Sequence, residues 1–255
     1  MIAGKLRKLN IGFETGTQAF REDDPSLVMI HGAGGSSVAW KAQTYLLRNQ
    51  CNTFALDLPG HGKTGDKDKS EIGEYAQWLT QILGEVFDEP PYLMGHSMGG
   101  AIVQTATLSN PELVKGIILV GTGPRLQVAP MFLDGLKNDF ENVIENLLGY
   151  AYAPDAEKAL VREGIKLMKQ AGGPLVHADF SACNRFDLRG EVDKINTPCL
   201  ILCGEQDKLT PPALSIKLNK LIKNSLLKLL PSAGHMVMIE NHTLLNEYVT
   251  EFILP

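Results

Sequence analysis

The sequence predicts an α/β fold in which a mostly parallel sheet is flanked by helices and a helical segment is inserted between two strands. Apolar runs of strand length alternate with longer segments of helical period, which is typical of parallel strands joined by crossover helices. The apolar runs are continuous, as expected of strands that are covered on both faces. One long segment, residues 125–195, interrupts the alternation because it contains no buried strand.

The individual elements are predicted in chain order from the same patterns. Residues 5–22 have mixed polarity around two glycines and are interpreted as an antiparallel hairpin at the edge of the sheet. Buried strands are predicted at 27–30, 53–56, 92–94, 117–120, 200–203 and 226–230. Helices are predicted near 38–48, 71–87, 98–109, 211–223 and 242–253.

The segment 125–195 is predicted to be a helical insertion, with helix-like runs around 131–149 and 155–171. Residues 1–124 and 196–255 are then assigned to the core that carries the sheet. Open α/β sheets bind ligands at the carboxyl ends of their strands. We therefore expect the insertion to lie over the functional site as a lid.

Composition and charge narrow the class of protein. Apolar residues make up 44% of the chain and charged residues 21%, which is ordinary for a globular protein. The net charge of −5 and the pI near 5.7 argue against nucleic-acid binding. The first residues lack the pattern of a signal peptide, and no apolar run approaches the ~18 residues of a membrane span. We expect a cytoplasmic protein whose four cysteines are reduced and have no metal-ligand spacing.

Ser97 is the candidate nucleophile. It follows a predicted strand, precedes a predicted helix, and has glycines two residues before and two residues after it. A serine on so sharp a turn needs small neighbours, and its hydroxyl is presented beside a helix N-terminus that favours negative charge. The predicted context of strand, turn and helix indicates a nucleophilic serine far more specifically than the five-residue pattern alone.

A serine hydroxyl needs a base, and the base needs an acid to orient it. Of six histidines, His235 is the candidate base, since it lies on a loop directly after the last predicted strand; His242 is its alternative. Asp207 is the candidate acid because it follows the preceding strand, with Glu205 as its rival. The order of serine, acid and histidine along the chain agrees with this type of fold. His31 is expected to orient the glycine loop, residues 31–35, which follows the first buried strand. His61 is expected to serve a turn, and His96 to pack against its neighbours.

The tetrahedral intermediate of such a reaction carries an oxyanion that needs backbone donors. The N–H of Met98, directly after the nucleophile, is one candidate. The second is expected in the run 31–35, where glycines let the backbone approach a substrate. Ala33 is the favoured donor there and Gly34 is the alternative.

These pieces together resemble the α/β-hydrolase superfamily over nearly the whole chain. The resemblance rests on residues 31–32, 57–62, 95–100, 204–207 and 234–235. It implies an eight-stranded sheet, a lid, and an acyl-enzyme mechanism that requires no metal or cofactor. Candidate substrate-binding residues are Gly32 and Gly34 in the glycine loop and Phe132, His177 and Phe186 in the insertion.

The sequence thus predicts a serine hydrolase that cleaves a carboxylic ester of a small molecule, with thioesters and lactones as near variants. The same residues could instead perform C–C bond cleavage, acyl transfer to peroxide, or elimination. A ligand receptor built on this fold is the non-enzymatic alternative.

Overall fold

The computed structural model describes residues 2–65 and 69–254, and in these residues seven strands form one sheet. The strands are β1 (Phe13–Glu14), β2 (Ser26–Ile30), β3 (Asn52–Leu56), β4 (Tyr92–His96), β5 (Gly116–Val120), β6 (Cys199–Gly204) and β7 (Ser225–Leu230). Their order across the sheet is β1-β3-β2-β4-β5-β6-β7, and every pair is parallel except β1 with β3. Strands are confirmed at all six predicted positions, but only five of them are buried. β7 lies at the edge of the sheet, and its Leu226 is 60% exposed.

Eleven α-helices accompany the sheet in the described residues. They are α1 (Ile2–Lys8), α2 (Lys41–Leu46), α3 (Ile72–Val86), α4 (Met98–Ser109), α5 (Pro130–Asn138), α6 (Phe140–Ala151), α7 (Lys158–Ala171), α8 (Gly173–Arg185), α9 (Pro212–Leu221), α10 (Val237–Glu240) and α11 (His242–Ile253). The five helices predicted around the sheet correspond to α2, α3, α4, α9 and α11.

The continuous apolar strands are explained by helices on both faces of the sheet. Along β2, Val28 and Ile30 belong to the apolar cluster that contains the buried side of α3 and α4, whereas Leu27 and Met29 belong to the cluster with α11. Successive side chains of a strand point to opposite faces, so both faces must be apolar when both are covered.

Two expectations about the edge of the sheet were wrong. The described residues form seven strands rather than eight, and residues 5–22 are not a hairpin. The chain begins instead with α1, in which Ile2 and Leu6 are one helical turn apart and are both buried. The only strand of this segment is β1, where two residues pair with β3.

Four helices, α5 to α8, lie between β5 and β6, within the segment interpreted as an insertion. The helix-like run 131–149 is divided into α5 and α6, and α8 was not predicted. Buried residues of α5, α6 and α8, with Tyr152, form an apolar cluster of their own. Ala182 and Cys183 of α8 also belong to the cluster under α3 and α4, so α8 packs on the sheet layer as well.

Candidate active site

Ser97 lies at the junction of β4 and α4, at the carboxyl end of a central strand. Its backbone has φ 53° and ψ −113°, a conformation that non-glycine residues rarely adopt and that costs on the order of 1–3 kcal/mol. Two hydrogen bonds hold this turn: the Ser97 N–H donates to the Val120 carbonyl at 2.9 Å, and the Thr122 hydroxyl donates to the Ser97 carbonyl at 2.9 Å.

The two glycines that flank Ser97 are explained by close backbone contacts. A Cβ on Gly95 would overlap the carbonyl of Gly99, and a Cβ on Gly99 would overlap the carbonyl of Ile30 in β2. The spacing of glycine, serine and glycine is therefore a steric requirement of placing a helix start directly on the sheet.

His235 and Asp207 form a buried pair on the loops after β7 and β6. His235 Nδ1 lies 2.9 Å from Asp207 Oδ2, and the two residues are 5% and 3% exposed. Burial alone raises the pKa of Asp207, but the His235 charge and the hydrogen bonds from His235 and Thr210 outweigh it and hold the pKa below its ordinary value. Asp207 is thus ionised and able to stabilise a protonated His235. The rival acid Glu205 is exposed.

Thr210 contacts both members of the pair and is not among the residues predicted from the sequence. Its hydroxyl donates to Asp207 Oδ2 at 2.7 Å and lies 3.1 Å from His235 Nδ1. The N–H groups of Leu209 and Thr210 donate to Asp207 Oδ1 at 2.9 and 2.8 Å. Both carboxylate oxygens are therefore fixed, which fixes the orientation of the His235 ring.

The backbone of His235 is held from three sides. Its N–H donates to the Ala151 carbonyl at 2.6 Å, and its carbonyl accepts from His96 Nε2 at 3.0 Å. The N–H of Gly234 donates to Glu240 at 3.0 Å, and the same carboxylate accepts from Ala153 at 2.6 Å. Burial, and then the His235 charge, lower the pKa of His96 to about 3, so His96 is a neutral support.

The glycine loop after β2 distinguishes the two candidate donors. The N–H of Gly34 already donates to Asp179 Oδ2 on α8, at 2.7 Å. Within the described residues, the N–H groups of Ala33 and Met98 donate to no protein acceptor. This geometry favours Ala33 over Gly34 as an oxyanion donor.

One cavity of about 1730 Å³ lies between the carboxyl ends of the strands and the helices α5 to α8. Ser97, His235 and Ala33 line it together, and so does His242 at the start of α11. Most of the remaining wall is apolar and comes from the segment after β5: Leu126, Val128, Phe132, Val143, Leu147, Leu148, Tyr152, Leu160, Leu167, Met168 and Phe180.

Comparison with known proteins gives the family. A family model described as the alpha/beta hydrolase fold matches residues 25–242. The chain belongs to this family. The resemblance stated from the sequence motifs is confirmed, and so is the α/β fold with its mostly parallel sheet.

Relatives of this α/β hydrolase are named as hydrolases and esterases, and the chain is a hydrolase. The uncharacterized hydrolase YugF of Bacillus subtilis strain 168 is 30% identical over 251 residues, which cover 89% of each chain. The pimeloyl-[acyl-carrier protein] methyl ester esterase of Aeromonas hydrophila is 25% identical over 90% of this chain and 95% of its own. A solved thermophilic esterase superposes with a TM-score of 0.83 at 30% identity, covering 95% of this chain and 97% of that one.

The candidate substrate-binding residues divide into two groups in this α/β hydrolase. Gly32, Gly34 and Phe132 line the cavity. Within the described residues, His177 and Phe186 do not line it. Phe186 directly follows α8 and lies in the apolar cluster that contains the buried side of α3 and α4, where its ring stabilises the fold. Burial lowers the pKa of His177, and the charges of Lys137 and Arg185 lower it further. This placement does not support a substrate contact for either residue.

The described residues contain no group of three or more His, Cys, Asp or Glu side chains arranged to hold a metal ion. No helix in this part of the chain combines the length and the apolar character needed to cross a membrane.

Proposed function

We propose that this α/β hydrolase cleaves carboxylic esters through an acyl-enzyme on Ser97. The observation that carries the proposal is the shared cavity: a serine on a strained strand-to-helix turn and a histidine paired with a buried carboxylate line the same apolar space. A serine, a histidine and an ionised carboxylate are the nucleophile, base and orienting acid of serine-dependent acyl transfer.

In the proposed first half-reaction, Ser97 Oγ attacks the ester carbonyl carbon while His235 Nε2 takes the hydroxyl proton. Asp207, which is held by Thr210, stabilises the resulting imidazolium. The N–H groups of Ala33 and Met98 stabilise the oxyanion, each contributing on the order of 3 kcal/mol to the transition state. His235 then gives its proton to the departing alcohol. In the second half-reaction water attacks the acyl carbonyl carbon while His235 takes its proton; the bond to Ser97 Oγ then breaks, His235 returns the proton to this oxygen, and the acid is released.

The walls of the cavity support an apolar substrate. Helix α7 has no buried residue, yet Leu160, Leu167 and Met168 recur on one of its faces and line the cavity. Leu160 and Met168 also pack partly against the apolar cluster of α5, α6 and α8, whereas Leu167 is 37% exposed. The apolar surface that this face leaves open to the cavity is available to a ligand. We propose short to medium apolar acyl groups, with α7 and its neighbours acting as the lid of residues 125–195.

A panel of p-nitrophenyl acetate, butyrate, hexanoate and octanoate tests this function, with thioesters and lactones of matched size beside them. We expect turnover that increases from acetate to the longer esters and disappears in Ser97→Ala. Ser109→Ala, an exposed serine at the end of α4, is the matched control and should keep full activity. Ester turnover that survives in Ser97→Ala would refute the proposal, and tight ligand binding without turnover would indicate a receptor.

A further inference from the structure

Helix α8 carries a carboxylate that reaches the glycine loop. Asp179 is 0% exposed, and its Oδ2 accepts both the Gly34 N–H at 2.7 Å and His61 Nε2 at 2.8 Å. Its Oδ1 accepts the Tyr75 hydroxyl at 3.3 Å. Asp179 therefore joins an inserted helix, the loop after β2 and the loop after β3.

The pair of Asp179 and His61 is ionic. His61 Nδ1 faces the Pro59 carbonyl at 3.0 Å, and His61 Nε2 faces the carboxylate. Both partners are acceptors, and the doubly protonated imidazolium form of His61 satisfies both of them. Burial acts against this charge, but the hydrogen bond and the charge of Asp179 outweigh it and raise the pKa of His61. A charged partner makes the Asp179 carboxylate a strong, fixed acceptor for Gly34.

The two peptide groups on either side of Ala33 are fixed by different partners. The Gly32 carbonyl accepts from His31 Nδ1 at 2.8 Å, because His31 Nε2 is occupied by the Leu58 N–H at 3.1 Å. A trans peptide is planar, so fixing the Gly32 carbonyl also fixes the direction of the Ala33 N–H. The following peptide is fixed through the Gly34 N–H by Asp179.

Gly34 also lies directly beneath the inserted helices. Its φ is 62°, and a Cβ there would lie 3.0 Å from Val176 of α8 and 3.3 Å from Met168 of α7. The loop is therefore held on one side by His31 from the sheet and on the other by Asp179 from α8.

We propose that Asp179 of α8 is a positioning residue for the oxyanion site: His31 fixes the peptide that carries the Ala33 N–H, and Asp179 fixes the following Ala33–Gly34 peptide, so that the donor is held from both sides. The role rests on the proposed function, since it concerns the donor that stabilises the oxyanion on Ser97. It assigns to the inserted segment a part in catalysis besides covering the substrate. Misplacing a reacting contact by about 1 Å can cost on the order of 100-fold in rate.

The test compares Asp179→Asn with Tyr75→Phe, which removes the Oδ1 contact and leaves the contacts to Gly34 and His61 intact. For Asp179→Asn we expect kcat to fall roughly 10- to 100-fold with KM changed less than about threefold. A boronic acid that forms a tetrahedral adduct should lose affinity by a similar factor, since it also needs the oxyanion donors. Tyr75→Phe should stay within about threefold of the wild type in kcat, KM and boronate affinity.

The outcomes separate the two proposals. Loss of ester turnover in Ser97→Ala together with an unchanged kcat in Asp179→Asn would refute the positioning role alone. A raised KM with kcat and boronate affinity preserved would also refute it, because Asp179 would then only shape the pocket. Turnover that survives Ser97→Ala would overturn the proposed function itself.

Asp179→Asn leaves His61 without its counter-charge, so folding is checked by thermal melting. If that variant is unfolded, His61→Gln combined with Asp179→Asn replaces the ion pair by a neutral one and is measured in the same way. The wild type gives an independent readout: the amide proton of Gly34 should exchange with solvent far more slowly than that of Ala33. Equal exchange rates at these two residues would contradict the proposal that the Asp179 carboxylate fixes the loop through the Gly34 N–H.

Discussion

Replacing Thr210 by valine removes the hydroxyl that donates to Asp207 Oδ2 at 2.7 Å while keeping the shape of the side chain. A hydrogen bond to a charged group contributes about 1.5–3 kcal/mol to stability, and this one is buried. We therefore expect Thr210→Val to lower the free energy of unfolding by about 1.5–3 kcal/mol at pH 7.

The sign of the pH dependence follows from the lowered pKa of Asp207. Burial raises this pKa, but the His235 charge and the hydrogen bonds from His235 and Thr210 hold it below the ordinary value of 3.8. A carboxylate with a lowered pKa stabilises the fold above its unfolded pKa, and that stabilisation is lost as the pH falls through the folded pKa. The difference between wild type and Thr210→Val should therefore be constant from pH 7 to about 5 and shrink below about 4.

Urea unfolding between pH 7 and pH 3 measures this difference. Thr107→Val is the matched control, because Thr107 is also buried and its hydroxyl donates to a neutral carbonyl, that of Val103, at 2.8 Å. Its cost should be smaller, about 0.5–1.5 kcal/mol, and should not change with pH. A cost for Thr210→Val that equals that of Thr107→Val, or that persists unchanged to pH 3, would refute the claim that Thr210 supports an ionised Asp207.

Three further predictions concern the turn, the base and the cavity. Gly99→Ala should reduce the melting temperature sharply or prevent folding, because its Cβ would overlap a carbonyl of β2. Gly84→Ala in α3, where the added Cβ meets open space, is the control and should raise the free energy of unfolding by about 0.5–1 kcal/mol in the same thermal melts. His235→Ala should lower kcat for p-nitrophenyl esters by several orders of magnitude without unfolding the protein, and near-wild-type turnover would exclude His235 as the base. Leu167→Ser should raise KM for the octanoate more than for the acetate, because Leu167 lines the cavity. Arg162→Ser, which is exposed on the same helix and away from the cavity, should change neither KM. If Leu167→Ser changed KM equally for both esters, α7 would not be part of the wall that binds the acyl chain.

The sheet, and the position of the three candidate catalytic residues at its carboxyl edge, could be predicted because each rests on a local signal. A continuous apolar run identifies a strand, and Ser97, Asp207 and His235 each follow such a run directly, where parallel strands bring their ends together. The start of the chain could not be predicted in the same way. Ile2 and Leu6 are buried one helical turn apart, and with only two apolar anchors the pattern did not exclude a strand.

The contacts that support the site depend on tertiary structure. Asp179 and His61 are separated by 118 residues, and an aspartate in a helix of mixed polarity is ordinarily an exposed residue. The contact between Thr210 and Asp207 could have been predicted from the sequence, because an aspartate followed three residues later by threonine is a common local hydrogen-bonding pattern. Phe186 was assigned to the substrate wall from its residue type alone, yet its position after α8 places it in the core.

Labelling with a fluorophosphonate, followed by mass spectrometry of the modified peptide, tests the central claim most directly. The reagent modifies only a serine whose nucleophilicity is raised by its surroundings. We predict a single adduct on Ser97 in the native protein, lost in Ser97→Ala and strongly slowed in His235→Ala. An unlabelled native protein, or an adduct on any other residue, would contradict an acyl-enzyme on Ser97.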